Sequence, residues 1–213
     1  MQRHLLSRVF KILTGILLGF AIVVFAVRRG PSGLESAPSE GAAEEAEYFL
    51  PDPIPAPPIS LLSHRGEVFN SVERKDGILA VFFGYTSCPD VCPLTLSHLG
   101  QAFREMGEEG DRIQVVLITV DPARDTPERL EEYLESFHPS FLGLTGTEEE
   151  IRAVADRFGA FFARSGEGEN YTVDHTARTF VVDSTGQIPL TFPVTATPQE
   201  MARDFTVLLG EGR

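Results

Sequence analysis

The chain has 213 residues, of which 42% are hydrophobic and 23% charged, and its formal net charge is −13. These values are typical of a globular protein with one domain and some accessory sequence. A negative charge of this size repels nucleic acids and anionic lipids, so we expect neither as a partner.

The N-terminal segment differs from the rest of the chain. Its first 30 residues contain five of the 18 basic side chains and none of the 31 acidic ones. An apolar run fills residues 12–27, and a helix extended back to residue 9 would reach about 28 Å, enough to cross a hydrocarbon core. We therefore predict that residues 1–29 are a membrane anchor, with a transmembrane helix at about residues 9–27.

A cleaved signal peptide is the alternative interpretation of this segment. The apolar run ends in Val27-Arg28-Arg29, which is a poor cleavage site because small residues are needed there. Positive charge is denser before the run than after it, which keeps the N-terminus in the cytoplasm. The prediction is a single-pass protein of the cytoplasmic (inner) membrane with its soluble domain on the outer, periplasmic side.

The next segment is rich in proline, with seven of the fifteen prolines between positions 31 and 58. Together with its serine, glycine and glutamate residues, this composition favours an extended or disordered chain. We predict a tether over residues 30–56 and one domain over residues 57–213.

The domain begins with a strand, helix and strand. Residues 78–85 are apolar throughout, which is typical of a strand covered on both faces. A helix is predicted from Pro93 to about Met106, where Gly107 ends it, and residues 113–120 form a second apolar strand. The three elements make a right-handed βαβ unit with parallel strands.

The rest of the domain continues to alternate between helices and strands. Three helices are predicted to start at threonines that cap them, and two strands are predicted to form a terminal hairpin. The helix starts are Thr126, Thr147 and Thr197, and the hairpin strands are residues 177–182 and 187–192. The fold class is therefore α/β, a central mixed sheet flanked by helices.

The chain has only two cysteines, Cys88 and Cys92, in the loop between the first strand and the first helix. A structural disulfide would close a very short loop, which removes little entropy from the unfolded chain. A redox pair is favoured by the helix N-terminus, which stabilises thiolates. A metal site is equally compatible, because two thiolates at this spacing select soft ions such as Cu(I) or Zn(II).

A metal site needs a third ligand, and five histidines are available. His175 directly precedes a predicted strand, and loops at strand ends gather at functional crevices of α/β sheets. It is therefore the best candidate. His4 precedes the predicted anchor and is out of reach. The remaining three are predicted to be surface or packing residues: His64, His98 and His138.

Four blocks of the sequence together resemble the Sco/SenC family of copper-binding cytochrome c oxidase assembly proteins. They are residues 83–93 (FGYTSCPDVCP), 120–128 (VDPARDTPE), 142–147 (LGLTGT) and 171–176 (YTVDHT). The resemblance implies a thioredoxin-like fold with an anchor and a tether. It also implies one copper per chain, as Cu(I) and also Cu(II), bound by Cys88, Cys92 and His175.

The function implied by the resemblance is a metallochaperone that delivers copper to the CuA site of cytochrome c oxidase subunit II or to another copper protein. Two alternatives stay open. One is a membrane-tethered thiol–disulfide oxidoreductase with Cys88 and Cys92 as its redox pair, which keeps the CuA cysteines reduced. The other is a redox or copper sensor.

Cu(II) would favour a further donor, and three carboxylates are candidates by position in these blocks. Each also has an ordinary structural interpretation. Asp90 is expected to cap the helix, Asp121 to cap the turn at Pro122, and Asp174 to orient His175.

Overall fold

The structure is a computed structural model that describes residues 48–74, 77–168 and 171–211. The predicted anchor, its helix at about residues 9–27 and the first part of the predicted tether lie outside these residues. Within the described ranges, no helix is both long and apolar enough to span a membrane.

Ten strands and four α-helices make up the described chain. The strands are β1 (Phe49–Pro55), β2 (Ser60–Ser63), β3 (Val68–Asn70), β4 (Ile78–Gly84), β5 (Ile113–Thr119), β6 (Leu142–Thr145), β7 (Phe162–Ser165), β8 (Thr172–His175), β9 (Arg178–Val182) and β10 (Gln187–Pro193). The helices are α1 (Val91–Met106), α2 (Pro127–Glu135), α3 (Glu148–Phe158) and α4 (Pro198–Glu211).

Eight strands form one mixed sheet in the order β1-β10-β9-β4-β5-β6-β2-β3. The central neighbours β4, β5 and β6 are parallel, and the other pairings are antiparallel. The predicted βαβ unit is β4, α1 and β5, and the predicted hairpin is β9 with β10. The two remaining strands, β7 and β8, pair with each other in a separate small sheet.

The core lies on both faces of the central strands. Every residue of β4 is buried, and adjacent side chains of a strand point to opposite faces. Phe83 packs edge-on against Phe158 of α3, with ring centroids 5.7 Å apart, whereas Phe82 contacts His175 on the other face. This explains the unbroken apolar run that predicted a doubly covered strand.

The helix caps follow the sequence prediction. The Thr126 hydroxyl accepts the Arg129 N–H at the start of α2. Thr147 and Glu150 form a reciprocal capping box at the start of α3. Such caps satisfy N–H groups that lack a partner within the helix.

The end of the predicted tether forms a strand instead. Residues 49–55 are β1, which pairs antiparallel with β10 and carries a register irregularity between Phe49 and Ile54. Three prolines fall in this strand, and the prediction was wrong because proline is tolerated at a sheet edge, where a missing N–H breaks no necessary ladder bond. The sheet thus begins before residue 57.

Candidate metal centre

The two cysteines lie where β4 gives way to α1. Cys88 is in the connecting loop, and Cys92 is the second residue of α1. The helix begins at Val91 with Asp90 at its N-cap, so the predicted start at Pro93 was two residues late. Proline is compatible with this position because the first-turn N–H groups have no helical acceptor.

His175 ends β8 and faces the cysteines from the small β7–β8 sheet. Its Nε2 lies 3.4 Å from Cys92 Sγ. The ligand atoms of Cys88, Cys92 and His175 all lie within 4.8 Å of one another, and among the described residues no other group of three His, Cys, Asp or Glu side chains is close enough to hold a metal ion. The structure therefore brings together the three residues that the sequence singled out.

The His175 ring is held between aromatic side chains. The rings of Phe82 and Tyr85 meet it edge-on, at centroid distances of 6.0 and 5.8 Å. Its Nδ1 lies 3.3 Å from the carbonyl oxygen of Thr176. A proton on Nδ1 directed at that carbonyl leaves Nε2 unprotonated, which is the form that binds a metal.

The other described histidines take part in local packing, as predicted. The Nδ1 of His64 accepts the N–H of Gly143 at 2.8 Å, and the Nδ1 of His98 lies 2.8 Å from the carbonyl oxygen of Ala196. His138 contacts Ser140 through its Nδ1 at 2.8 Å. His4 lies outside the described residues.

The three candidate carboxylates do not join the group. Asp90 is the exposed N-cap of α1, the position predicted for it, but its side chain makes no cap hydrogen bond. Asp121 is only 4% exposed, and its carboxylate accepts hydrogen bonds from Arg124 and Tyr171. Asp174 is exposed on β8, and the polar contact of His175 Nδ1 is instead with the carbonyl of Thr176.

A further acid near the centre was missed by sequence reasoning. Asp125 is fully buried and accepts hydrogen bonds from the backbone N–H and hydroxyl of Thr86 and from the hydroxyl of Thr119. Burial raises its pKa, and these hydrogen bonds oppose the rise. Asp125 thus fastens the cysteine loop to the end of β5. Asp125 lies in the block at residues 120–128 that resembles the Sco/SenC family, and this position was the sequence signal that could have identified it.

Gly84, the last residue of β4, makes room for the buried thiol. A Cβ at this position would lie 2.8 Å from Cys92 Sγ and 2.8 Å from a ring carbon of Phe82. We expect Gly84→Ala to lower the free energy of unfolding by about 1–3 kcal/mol, because overpacking forces side chains off their rotamers. Chemical denaturation measures this change.

The matched control is Gly210→Ala in α4, where an added Cβ meets no atom within 4 Å. Alanine is a better helix former than glycine, so this control should change stability by less than about 1 kcal/mol, in the favourable direction. Equal destabilisation by both substitutions would contradict the packing assigned to Gly84.

The two thiols differ in their electrostatics. A hydrogen bond from Cys92 lowers the pKa of Cys88 to about 4, against the opposing effect of burial. The same hydrogen bond and complete burial raise the pKa of Cys92. We therefore expect the metal-free reduced pair to share one proton at neutral pH, with the thiolate on Cys88.

This asymmetry predicts the pH dependence of alkylation. Between pH 8 and pH 6 an ordinary thiol, with a pKa near 8.5, loses thiolate by roughly two orders of magnitude. Since the pKa of Cys88 is about 4, its alkylation rate by iodoacetamide should stay nearly constant over this range. Mass spectrometry of the labelled peptides measures the rate.

Cys92→Ala is the control, because it removes the hydrogen bond that contributes most to the lowered pKa of Cys88. In this variant the rate should fall steeply below pH 8. A wild-type rate that falls equally steeply would disprove the shared-proton arrangement.

Two thiolates and one imidazole form a donor set that suits Cu(I). Soft sulfur donors favour Cu(I), and this ion accepts three-coordination, whereas Zn(II) sites in proteins usually complete a tetrahedron. The residues present therefore fit copper as a bound ion.

The cysteines lie at the start of the helix of the βαβ unit, and a histidine lies beside them. This arrangement defines a thioredoxin-like domain with a dithiol–imidazole centre. The chain matches the model of the SCO1/SenC family over residues 53–210. The chain therefore belongs to the SCO1/SenC family, as its sequence blocks indicated.

Similar proteins agree with this assignment. A SCO2-like protein of Rickettsia felis is 41% identical over 144 residues, which are 66% of this chain and 70% of the relative. The structure of Bradyrhizobium japonicum ScoI with copper bound is 35% identical, with a TM-score of 0.67, and the match covers 73% of this chain and 99% of that one. Apo Sco1 of Thermus thermophilus is 36% identical, with a TM-score of 0.70, and the match covers 79% and 100%.

Proposed function

We propose that this protein is a copper chaperone that binds one copper ion through Cys88, Cys92 and His175. The observation that carries the proposal is the convergence of these three ligand atoms within 4.8 Å of one another. The cargo is Cu(I), for which the donor set is suited, and Cu(II) is held with an additional donor. The copper-bound state of the related Bradyrhizobium japonicum ScoI supports the choice of metal.

The acceptor that we propose is the CuA site of cytochrome c oxidase subunit II. The resemblance to the Sco/SenC family supports this choice. So does the place of the centre, since Cys88 lies in a loop and is 9% exposed, whereas Cys92 is fully buried. An acceptor thiolate can then approach copper from the Cys88 side while the buried Cys92 still holds the ion.

We further propose that residues 1–29 anchor the protein in the cytoplasmic membrane and leave the copper domain on the periplasmic side. The support is the apolar run with basic flanks and the placement of every acid beyond residue 30. The proposal places the domain beside the membrane in which the oxidase resides.

Copper transfer tests this function. One sample of the fragment Ala46–Arg213 is loaded with one equivalent of Cu(I), and a second sample with one equivalent of Cu(II). The two samples are then mixed with the reduced, metal-free soluble domain of subunit II. Appearance of the CuA absorption spectrum is the expected result, and copper that stays on the donor would contradict delivery.

The lowered pKa of Cys88 supports a second candidate, a thiol–disulfide reductase, because a thiolate is the attacking group in disulfide exchange. His175→Ala separates the two functions. A chaperone loses copper affinity by more than about a hundredfold when a ligand is removed, since even the loss of an outer-shell partner costs up to that much. A reductase would retain its rate on an oxidised CuA domain, measured by thiol release.

A further inference from the structure

We propose that the loop between β5 and α2, residues 120–126, positions the two ligand-bearing segments of the centre through separate side chains. Arg124 with Asp121 holds the strand that ends in His175, and Asp125 holds the loop that carries Cys88. The proposal rests on the proposed copper function and names the residues that set the geometry of its site. We call residues 120–126 the positioning loop.

The first arm of the positioning loop is a cluster around Tyr171, the residue before β8. The Tyr171 hydroxyl donates to Asp121 Oδ1 at 2.7 Å, and Arg124 Nε donates to the other oxygen of Asp121. Arg124 Nη1 donates to the backbone oxygen of Tyr171 at 3.1 Å, and its guanidinium carbon lies 3.7 Å from the centroid of the Tyr171 ring. Arg124 thus donates hydrogen bonds both to the carboxylate of Asp121 and to the backbone of Tyr171.

This arm matters for His175 because, in the described chain, β8 pairs with β7 in a separate sheet and with no strand of the main sheet. The main sheet therefore does not fix the distance from His175 to the cysteines. Contacts such as those at Tyr171 do so, together with the bond from the Val173 N–H to the Tyr85 hydroxyl at 3.2 Å. A four-residue strand is short enough for a contact at its start to orient the residue at its end.

Burial makes the first arm strong. Asp121 is 4% exposed, and a buried carboxylate is costly unless its charge is paired and its oxygens accept hydrogen bonds. Both conditions are met by Arg124 and Tyr171. The guanidinium group also lies over the Tyr171 ring, which adds a cation–π contact. The strand segment is therefore held by a cluster whose members stabilise one another.

The second arm is Asp125, which contacts the cysteine loop. Its carboxylate accepts the Thr86 hydroxyl at 2.6 Å and the Thr86 N–H at 3.0 Å. Thr86 lies two residues before Cys88, and the Cys88 N–H in turn bonds the carbonyl of Tyr85 at 3.2 Å. The contact fixes the start of the cysteine loop. The two arms share the loop backbone, where the Asp125 N–H bonds the Asp121 carbonyl at 3.0 Å, but their side chains hold different segments. The contact of Asp125 with Thr86 is therefore expected to act on copper binding without His175.

The first arm is tested with Arg124→Met in the full-length chain, alone and combined with His175→Ala. Arg124→Met is expected to weaken Cu(I) binding about tenfold to a hundredfold, the usual effect of losing an outer-shell partner of a ligand. Because it acts through His175, it should have no further effect once His175 is alanine. An equal loss in both backgrounds would refute the first arm.

Two further variants exclude a general loss of stability. Arg157→Met removes an exposed arginine of α3 whose Nε bonds Ala153 of its own helix, and it should leave copper binding unchanged. Arg124→Lys keeps the charge but not both bonds, and should restore part of the affinity. If Arg124→Lys binds copper no better than Arg124→Met, the positive charge paired with Asp121 does not hold the His175 segment, and the first arm fails.

The second arm is tested with Thr86→Val, which has nearly the same shape and lacks the hydroxyl bonded to Asp125. It should weaken Cu(I) binding about tenfold or more in both the wild-type and His175→Ala backgrounds. Thr179→Val is the matched control, because the buried hydroxyl of Thr179 has no hydrogen-bond partner in the described chain. A Thr86→Val effect that vanishes without His175 would contradict the separation of the arms.

A measurement on the metal-free protein separates this proposal from the copper function. The ring nitrogen and carbon resonances of His175 should shift in Arg124→Met and stay in place in Arg157→Met. If the wild type binds no copper but the shifts occur, the proposed function fails and the positioning role stands. If copper binds but the His175 resonances of Arg124→Met match those of the wild type, the positioning role fails.

Discussion

Replacing Cys92 by alanine is expected to lower the affinity for Cu(I) by more than about a hundredfold. This exceeds the loss in affinity, about tenfold to a hundredfold, that usually follows removal of a hydrogen-bond partner of a metal ligand. Cys92 is the fully buried member of the centre, and its sulfur lies 3.4 Å from His175 Nε2. Its loss leaves one thiolate and one imidazole, too few for a shielded three-coordinate Cu(I) site. Competition against a chromophoric Cu(I) chelator measures the affinity.

Stability should change far less than copper binding in this variant. Removing one buried sulfur atom leaves a small cavity, which costs about 1–2 kcal/mol by analogy with other small truncations. Ser97→Ala, on the same helix, is the control and should retain wild-type affinity. A folded Cys92→Ala protein that binds Cu(I) as tightly as the wild type would show that the ion is held elsewhere.

Local sequence signals predicted the central part of the fold. The apolar runs of β4 and β5 and the helix between them are consecutive in the chain, so periodicity and right-handed connection determine their arrangement. Thr126 and Thr147 marked helix starts because capping depends on residues three positions apart. These features require no knowledge of distant contacts.

Other parts of the fold depend on pairing that no local pattern reveals. β1 contains three prolines and reads as a linker, and it becomes a strand only because the edge of β10 is available to it. The start of α1 at Val91 was also missed, since Pro93 is compatible with any position in the first turn.

The candidate centre likewise combines residues that the local sequence reveals with contacts that depend on the folded chain. Cys88 and Cys92 are evident from their spacing, whereas His175 lies 83 residues from Cys92 and was placed by its position before a strand. The roles of Arg124 and Asp125 were not predicted from the residues, and Asp121, which was expected to cap the turn at Pro122, instead bonds Arg124 and Tyr171 through its carboxylate. Their partners Thr86 and Tyr171 are 39 and 50 residues distant from Asp125 and Asp121, respectively, and only the folded chain shows which side chains meet.

Oxidation of the centre is expected to abolish copper binding reversibly. When Cys88 and Cys92 form a disulfide, the two thiols lose two protons and two electrons, and diamide takes up both as it is reduced to the hydrazine. The bonded sulfurs no longer carry thiolate charge, which copper binding requires. We therefore expect Cu(I) affinity to fall by more than about a hundredfold, as for loss of a ligand, and to return after treatment with dithiothreitol.

The same two sulfur atoms cannot bind copper and each other at once, so the competition should work in both directions. Protein loaded with Cu(I) should resist both diamide and iodoacetamide, because neither thiolate is free to react. His175→Ala is the informative control, since it retains both thiols and should form the disulfide readily while being poorly protected by copper. If copper fails to protect the wild-type cysteines, or if the oxidised protein still binds Cu(I) tightly, the cysteines are not the ligands. If protection is equal in the wild type and in His175→Ala, the imidazole contributes nothing to holding the ion.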